Sequence, residues 1–436
     1  MSRKKLLLGQ TLGFSEDPFE VPFQRATDYN SSGGIYIADG KIVDLGNSQD
    51  LLAKYPEVPT YNYKDCLLTA GLIDTHAHYP QTRIIASWGA RLIEWLNKYT
   101  FPEEEKFGDK DYAEQTADFY LDTLLENGIT TVSTFCTTHP ASVDAIFESA
   151  QKRGMRIMAG KTCMDRNAPP DLLDTANSSY DDSKKLIAKW HNKARLSYVI
   201  SPRFAPTSSA EQLEALGALW REHPDCLMQT HLSEQLEEIA WVKSLYPNSK
   251  DYLNVYEQFN LLGEHGLYGH CIHLTENELV RIREAGGRLI HCPTSNLFIG
   301  SGLFKLWERK SEGQQIGLAT DTGGGSSFSM FRVMASAYEV GQLGGHSLHP
   351  SQLFWLATVG NAQSLHLENS IGNLKISMEA DIIAIDLNSD EVISQRVETS
   401  EDIWDKLFPT IMMGNSKAIR DVWINGNKVG TLSPEI

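Results

Sequence analysis

Short apolar runs alternate with longer amphipathic stretches through the middle of the chain, and this alternation predicts strands and helices in turn. Eight runs have the length of strands: residues 66–76, 130–135, 155–164, 196–204, 227–231, 266–271, 288–293 and 315–321. Helical patterns lie between them, as at residues 111–126, 208–222 and 276–284, and Thr275 is suited to cap the last. Eight strand–helix units in about 300 residues predict an α/β fold, a closed parallel (β/α)8 TIM-like barrel.

The two ends of the chain share a different pattern, in which short strands meet at tight turns. An Asp-Gly pair at residues 39–40 and an Asn-Gly pair at residues 425–426 are typical of two-residue hairpins. Neither end is long enough to close a sheet alone. We therefore expect one small β-sandwich domain built from residues 1–65 and 366–436, with the barrel over residues 66–365 inserted between them.

Composition narrows the possible partners. The 436 residues are 41% hydrophobic and 22% charged, as in soluble globular enzymes, and the net charge is −17. Such a surface repels phosphate backbones and anionic lipids, so we expect no nucleic-acid polymer and no membrane as partner. The apolar run near the N-terminus ends at Gly9, too short for a signal peptide, and we see no run of about 20 apolar residues that would span a bilayer. A small neutral substrate fits this chain better.

The six cysteines are scattered and form no CxxC pair; they are Cys66, Cys136, Cys163, Cys226, Cys271 and Cys292. Most lie in apolar stretches that resemble buried strands. We expect reduced thiols that fill the core of a cytoplasmic protein.

Polar residues at the ends of predicted strands carry the candidate chemistry, because the active site of such a barrel lies at the carboxyl ends of its strands. His76 and His78 end the first strand, and residues two apart in extended backbone project from one face. His231 ends the fifth strand and Asp321 the eighth. Three imidazoles and a carboxylate suit Zn²⁺ or Fe²⁺ and leave room for a reactive water.

Each of these residues also has an ordinary structural interpretation. A histidine at a strand end is commonly a hydrogen-bonded core residue, and an aspartate before Thr-Gly-Gly, as at Asp321, commonly forms a turn. Four such residues on strands one, five and eight of one barrel are hard to obtain by chance. Their joint placement favours a metal site.

Longer motifs connect these residues to a known family. They are LIEWLNKYTFP at 92–102, SPRF at 201–204, HLSE at 231–234, GHC at 269–271 and HCPTSN at 291–296. Together with HAH at 76–78 and Asp321, they resemble the guanine deaminases of the single-metal deaminase branch of the amidohydrolase superfamily. The likeness covers nearly the whole chain, including the split β domain.

The resemblance implies a role for each matching residue. One zinc ion per chain, with Fe²⁺ as the alternative, would be held by His76, His78, His231 and Asp321. Glu234 would protonate the ring nitrogen beside the attacked carbon and later the leaving amine. His270 would orient the attacking hydroxide, and Asp321 would also accept a proton from the water. A homodimer is implied as well.

Residue spacing adds three geometric expectations. His231 and Glu234 are three residues apart, so both reach the site only if the chain leaves strand geometry after His231, as we expect. His270 and His273 have the same spacing; we expect His270 to face the site and His273 to be structural. His291 is expected to be structural or to lie behind the ligands.

Three further residues are candidates for binding guanine. Its O6 and N7 are adjacent acceptors, and Arg203, which only donates, suits that edge and would leave the C2 amine toward the metal. Gln81 offers a donor and an acceptor, and Phe204 offers a ring face. The alternatives are an ion pair with a rim carboxylate for Arg203 and an exposed loop amide for Gln81. The expected products are xanthine and ammonia.

Other functions fit the sequence less well. Asp321-Thr322-Gly323 matches the aspartic-protease motif, but the chain has no second copy to share a proton. The PCxxC motif of cytosine-reading zinc deaminases is also missing from the sequence. The remaining alternatives are a deaminase of the same branch that acts on cytosine, an adenosine derivative or a triazine, and a barrel scaffold without activity.

Overall fold

The computed structural model describes residues 3–89 and 91–429, whose strands form two sheets. The strands are β1 (Lys4–Phe14), β2 (Thr27–Ala38), β3 (Lys41–Asn47), β4 (Thr60–Ala70), β5 (Leu72–His78), β6 (Ile129–Phe135), β7 (Arg156–Gly160), β8 (Thr162–Cys163), β9 (Leu196–Pro202), β10 (Leu227–Leu232), β11 (Gly266–His270), β12 (Arg288–His291), β13 (Gln315–Leu318), β14 (Ile382–Asp386), β15 (Ile419–Ile424) and β16 (Asn427–Val429).

Most of the helices lie between the barrel strands in sequence, whereas α2 connects β3 to β4 of the other sheet. The α-helices are α1 (Phe23–Ala26), α2 (Ser48–Lys54), α3 (Leu92–Trp95), α4 (Phe101–Glu104), α5 (Lys110–Glu126), α6 (Pro140–Arg153), α7 (Ala176–Trp190), α8 (Ala210–Glu222), α9 (Leu236–Leu245), α10 (Tyr252–Gln258), α11 (Glu276–Glu284), α12 (Pro293–Phe298), α13 (Leu306–Ser311), α14 (Met330–Leu343), α15 (Pro350–Trp355), α16 (Asn361–Ser364), α17 (Glu391–Val397) and α18 (Ile403–Met413). Short 3-10 helices cover Tyr79–Ile84, Glu105–Gly108, Pro170–Leu172, Ala205–Thr207 and Ser416–Ala418, and π-helical turns cover Leu96–Thr100 and Leu356–Gly360.

Eight parallel strands form a nearly closed barrel in the order β5-β6-β7-β9-β10-β11-β12-β13. The short β8 pairs with β9 beside this path. The first and last strands are joined just beyond β13, where the Asp321 N–H donates to the His76 carbonyl at 2.9 Å and the His78 N–H donates to the Thr322 carbonyl. The predicted (β/α)8 barrel is confirmed, and its closure brings the ends of strands one and eight together.

The predicted helices at 111–126, 208–222 and 276–284 correspond to α5, α8 and α11. Thr275 caps α11 as expected: its hydroxyl accepts from the Glu278 N–H, and the Glu278 carboxylate accepts from the Thr275 N–H. This reciprocal capping box satisfies two backbone donors that the first helical turn leaves free.

The first predicted strand, residues 66–76, is wrong in extent because it is divided between the two sheets. Residues 66–70 belong to β4, and Gly71 separates β4 from β5. A Cβ on Gly71 would lie 2.2 Å from the hydroxyl oxygen of Thr130, so only glycine fits where the chain crosses to the barrel. An unbroken apolar run hides this change of sheet, since the residues on both sides of it are buried.

Both chain ends build the second sheet, in the order β16-β15-β14-β4-β1-β2-β3. Leu7, Ile35 and Trp423 pack on one face, and Leu6 and Tyr36 pack on the other. Successive residues of a strand point to opposite faces, which explains the two clusters. The predicted β domain from both termini is therefore present, while its exact division from the barrel at 65/66 and 365/366 stays a prediction.

Two expectations about environment can be compared with the structure. Within residues 3–89 and 91–429, no helix has both the length and the apolar character that crossing a bilayer requires. All six cysteines are buried and carry free thiols, as predicted.

Candidate active site

The carboxyl end of β5 carries two histidines that face the same side of the strand. His76 and His78 are both buried, and their separation by one residue points both imidazoles inward. The Nε2 atom of each lies 3.4 Å from Oδ1 of Asp321. Strand one therefore brings two imidazoles to one carboxylate at the end of the barrel.

Asp321 follows β13 with a left-handed backbone, at φ 48°. Residues with a Cβ rarely adopt this conformation, and it is common at functional sites. Burial alone would raise the pKa of the Asp321 carboxyl, but the surrounding imidazoles of His76, His270 and His78 lower it well below its usual range. The side chain is therefore an ionised carboxylate among histidines.

His231 on β10 completes the cluster from the opposite side of the barrel. Its Nδ1 lies 2.6 Å from the backbone carbonyl of Arg203, and because a carbonyl only accepts, Nδ1 carries the proton. Its Nε2 lies 3.1 Å from Nε2 of His78. The Arg203 carbonyl thus fixes the tautomer that leaves the His231 Nε2 lone pair facing the other ligands, as in metal-binding histidines.

These four side chains fit a divalent metal ion. One donor atom from each of His76, His78, His231 and Asp321 lies within 4.8 Å of the other three. Both ring nitrogens of His76 are buried without a hydrogen-bond partner in the described part of the chain, which is rare for buried polar atoms. Burial lowers the pKa values of His78 and His231, so their lone pairs remain available. Neutral imidazoles with one carboxylate form a donor set that suits zinc or iron.

A second group of potential ligands overlaps the first and contains Cys292 and His270 together with His76 and Asp321. Burial raises the pKa of the Cys292 thiol well above its usual value, which disfavours the thiolate that binds metals. Nε2 of His270 lies 3.5 Å from Oε2 of Glu234, where it is placed to donate a hydrogen bond rather than a lone pair. The set with His78 and His231 is therefore the better metal site.

Glu234 reaches the site because the chain turns directly after β10. The strand ends at Leu232, and Ser233 has a left-handed backbone with φ 52°. This is the departure from strand geometry that the three-residue spacing required. Glu234 is buried, its Oε1 accepts a hydrogen bond from Ser301 Oγ at 2.7 Å, and its Oε2 lies 3.5 Å from Nε2 of His270.

His270 ends β11 and bridges the carboxylates of the site. Its Nδ1 lies 2.9 Å from Oδ1 of Asn296, and its Nε2 lies 3.8 Å from Oδ2 of Asp321. Burial lowers the pKa of His270, but the Glu234 and Asp321 carboxylates outweigh that effect, so the net shift is upward. This environment favours the imidazolium, which donates at Nδ1 to Asn296 and presents an N–H at Nε2 toward the carboxylates.

The other two histidines considered in the sequence lie away from the pocket. Nε2 of His273 lies 2.9 Å from the Ser301 carbonyl, and His273 supports the loop that carries Ser301. His291 stacks on Phe304 with ring centroids 4.6 Å apart, and burial lowers its pKa to about 3. Neither side chain lines the pocket described below, and their structural roles stay predictions.

A pocket opens beside the histidine cluster. Its apolar walls come from Leu92, Trp95, Leu96, Phe204 and Ile299. Its polar lining is His78, Gln81, Arg203, His231, Glu234, His270 and Asp321. Apolar walls with a few convergent polar groups are typical of sites for small ring compounds.

The three predicted substrate contacts, Gln81, Arg203 and Phe204, all line this pocket. Arg203 also forms the ion pair that was its alternative interpretation, with Nη1 at 2.6 Å from Oε2 of Glu104. Gln81 is buried rather than exposed, and its Nε2 donates to Oε1 of Glu104 at 3.0 Å. Arg203 and Gln81 therefore line the pocket and are both bonded to Glu104.

Sequence reasoning missed three residues that contact the candidate catalytic and binding groups. Glu104 is one of three consecutive glutamates, and nothing in that charge run distinguishes it. Asn296 lies inside the quoted HCPTSN segment, but no role was assigned to it, and Ser301 lies in a loop without a motif. Only tertiary contacts reveal these three residues.

Comparison of the sequence with known protein families identifies the family of this chain. The sequence profile described as the amidohydrolase family matches residues 67–429. The chain belongs to the amidohydrolase family. One similar protein is the guanine deaminase of Escherichia coli strain K12, which is 42% identical to this chain over 418 residues. The matched region covers 95% of this chain and 94% of the relative.

Two solved structures resemble this amidohydrolase over its full length. The E. coli guanine deaminase structure has a TM-score of 0.95 at 41% identity and covers 98% of this chain and 100% of its own. The guanine deaminase of C. acetobutylicum, solved with guanine in its active site, has a TM-score of 0.89 at 30% identity over 98% and 100% of the two chains. These relatives share both the barrel and the terminal sheet of this amidohydrolase.

Proposed function

We propose that this amidohydrolase is a metal-dependent guanine deaminase, which hydrolyses guanine to xanthine and ammonia. The proposal rests on one observation: three histidines and an aspartate that could bind a metal ion lie beside a pocket lined by Arg203. Relatives named guanine deaminase match more than nine-tenths of the chain, which supports guanine as the substrate.

In the proposal, one zinc ion per chain is held by His76, His78, His231 and Asp321, with Fe²⁺ as the alternative. When bound, Zn²⁺ is a Lewis acid that lowers the pKa of a coordinated water to about 7 and so supplies a nucleophile at neutral pH. The backbone carbonyl of Arg203 orients His231 for this role.

Glu234 is the proposed proton carrier. It accepts one proton from the attacking water and delivers it to N3, the ring nitrogen beside C2. The oxygen bonds to C2, the second water proton passes to the amine, and the C2–N bond breaks to release ammonia. Ser301 donates to the Glu234 carboxylate at 2.7 Å and holds it at the pocket wall.

His270 and Asp321 are proposed to act on the same water. His270 lies 3.5 Å from Glu234 and 3.8 Å from Asp321, where its N–H stabilises negative charge on the attacking oxygen. Asp321 is proposed as a second acceptor for the water proton.

Recognition of the purine is assigned to Gln81, Arg203 and Phe204. The Arg203 guanidinium donates to the O6 and N7 edge, which turns the C2 amine toward the metal ligands. Gln81 donates to the ring from the side of Glu104, and Phe204 packs against the purine face.

Ammonia release from guanine, adenine and cytosine tests the proposal, with metal content measured on the same protein. We expect equal amounts of ammonia and xanthine from guanine, and turnover of the other bases slower by about 10²-fold or more. Faster release from cytosine, an adenosine derivative or a triazine would favour another deaminase. A metal-free protein that stays inactive after zinc is added would favour a scaffold.

A homodimer and a cytoplasmic location complete the proposal. The free, buried thiols suit a reducing compartment. Light scattering of the purified protein would test the dimer, with a mass near twice that of the chain expected and a monomer at micromolar concentration contradicting it.

A further inference from the structure

Glu104 is a buried carboxylate that accepts hydrogen bonds from two residues of the pocket wall. Its Oε2 lies 2.6 Å from Nη1 of Arg203, and its Oε1 lies 3.0 Å from Nε2 of Gln81. The Glu104 side chain is only 1% exposed. Arg203 and Gln81 line the pocket, so Glu104 acts on a ligand through these two side chains.

The two hydrogen bonds decide which groups Gln81 and Arg203 offer to a ligand. A carboxylate only accepts, so the Gln81 amide must turn its NH₂ toward Glu104, and its Oε1 lies 3.4 Å from the Gly323 N–H. The second Gln81 N–H and the other guanidinium N–H groups are then the donors available to the pocket. The N–H groups of Gln81 and Arg203 therefore suit a ligand ring whose edge carries acceptors, such as a carbonyl oxygen.

The charge of Glu104 also holds Arg203 in place. An unpaired guanidinium is costly to bury, and this one would be repelled by a metal ion in the same pocket. The ion pair offsets that cost, and the ring of Phe101, 5.4 Å from the guanidinium carbon, packs against it. Glu104 therefore fixes both the position and the direction of the Arg203 donors.

The same helical segment carries Glu104 and the apolar wall of the pocket. α3, the π-helical turn Leu96–Thr100 and α4 follow one another without a break. Leu92, Trp95 and Leu96 line the pocket from this segment, and Glu104 ends it. The segment thus joins the surface that encloses a ring to the residue that orients its polar contacts.

We propose that Glu104 is a positioning residue that sets the preference for purines with an oxygen at C6. It does so by holding Arg203 and Gln81 as donors toward that oxygen and N7. The inference rests on the proposed function, because it states how the same pocket distinguishes its substrate.

The test uses Glu104→Gln, which keeps the size of the side chain but accepts at one oxygen only. We expect the guanine KM and the inhibition constant of xanthine to rise by about 10- to 100-fold, as one lost bidentate contact predicts. Because 2-aminopurine lacks the C6 oxygen, its inhibition constant against guanine deamination is expected to change less than about threefold. The kcat for guanine is expected to change much less than its KM.

Glu103→Gln is the matched control. Glu103 neighbours Glu104 on α4 and is also buried, but its carboxylate bonds to Lys106 and Tyr112 instead of the pocket residues. This variant is expected to leave the guanine KM and both inhibition constants unchanged.

A double-mutant cycle tests whether Glu104 acts through Arg203. In an Arg203→Ala background, Glu104→Gln is expected to raise the guanine KM by no more than about threefold further, since coupled residues are not additive. Two results would overturn the inference: equal losses of affinity for purines with and without the C6 oxygen, or full additivity in the cycle. Neither result would affect the proposed function, provided that the wild type deaminates guanine. A wild-type protein inactive on guanine would reject the function itself and the inference with it.

Discussion

The two polar walls of the pocket differ in how their side chains are paired. On the metal-ligand wall, the two buried ring nitrogens of His76 have no hydrogen-bond partner in the described residues, and the Nε2 atoms of His78 and His231 lie 3.1 Å apart. On the substrate wall, Gln81 and Arg203 are already bonded to Glu104. The first wall leaves potential ligand atoms without hydrogen bonds, whereas the polar side chains of the second wall are already hydrogen-bonded to Glu104. Substitutions should therefore have different consequences on the two walls.

The largest expected effect separates proton transfer from metal binding. Glu234→Gln keeps the four ligands but removes the proton carrier, so kcat for guanine should fall by about 10²- to 10⁴-fold. Metal content measured on the same sample should equal that of the wild type. Retained turnover would mean that another group carries the proton.

The next effect concerns the substrate wall, where one residue serves both stability and recognition. Arg203→Ala should lower kcat/KM for guanine by about 10- to 100-fold. It should raise the inhibition constant of 2-aminopurine by less, because that purine keeps N7 but lacks the C6 oxygen. It should also lower the free energy of unfolding by about 3–5 kcal/mol, because Glu104 is left buried and unpaired.

Arg203→Ala combined with Glu104→Gln separates those two effects. Chemical denaturation should show that the double variant regains part of the lost stability, since the uncompensated charge is gone. Its guanine kcat/KM should stay low. Equal losses in guanine kcat/KM and in 2-aminopurine inhibition in Arg203→Ala would contradict the assigned contact with the C6 oxygen.

The smallest expected effect comes from the hydrogen bond that Ser301 donates to Glu234. Ser301→Ala removes one hydrogen bond to its carboxylate, so kcat should fall by about 3- to 10-fold. Ser336→Ala on α14 is the control: that hydroxyl is buried and bonds to no group in residues 3–89 and 91–429, so kcat should not change. Equal behaviour of the two variants would show that Ser301 does not position Glu234.

The metal-ligand wall could be predicted from sequence because strand periodicity determines it. His76 and His78 share a strand face, and barrel closure places Asp321 beside them. The turn at Ser233 was required by the spacing of His231 and Glu234, so that irregularity was predictable too.

The substrate wall was predicted only in part. Arg203, Gln81 and Phe204 follow strand ends, where a motif and the barrel topology locate them. Glu104 reaches Arg203 from a helix 99 residues earlier in the chain, and only the folded structure brings the two together. The passage from β4 to β5 was missed for a similar reason, since an apolar run carries no signal for a change of sheet.

The central claim is that four side chains from strands one, five and eight hold one catalytic metal ion. Elemental analysis of wild type and His231→Ala, alongside ammonia release from guanine, tests it most directly. We predict about one equivalent of zinc or iron per wild-type chain, and loss of both metal and turnover in a His231→Ala protein that still unfolds cooperatively. A metal-free wild type that deaminates guanine, or a His231→Ala variant that keeps both metal and activity, would contradict the claim.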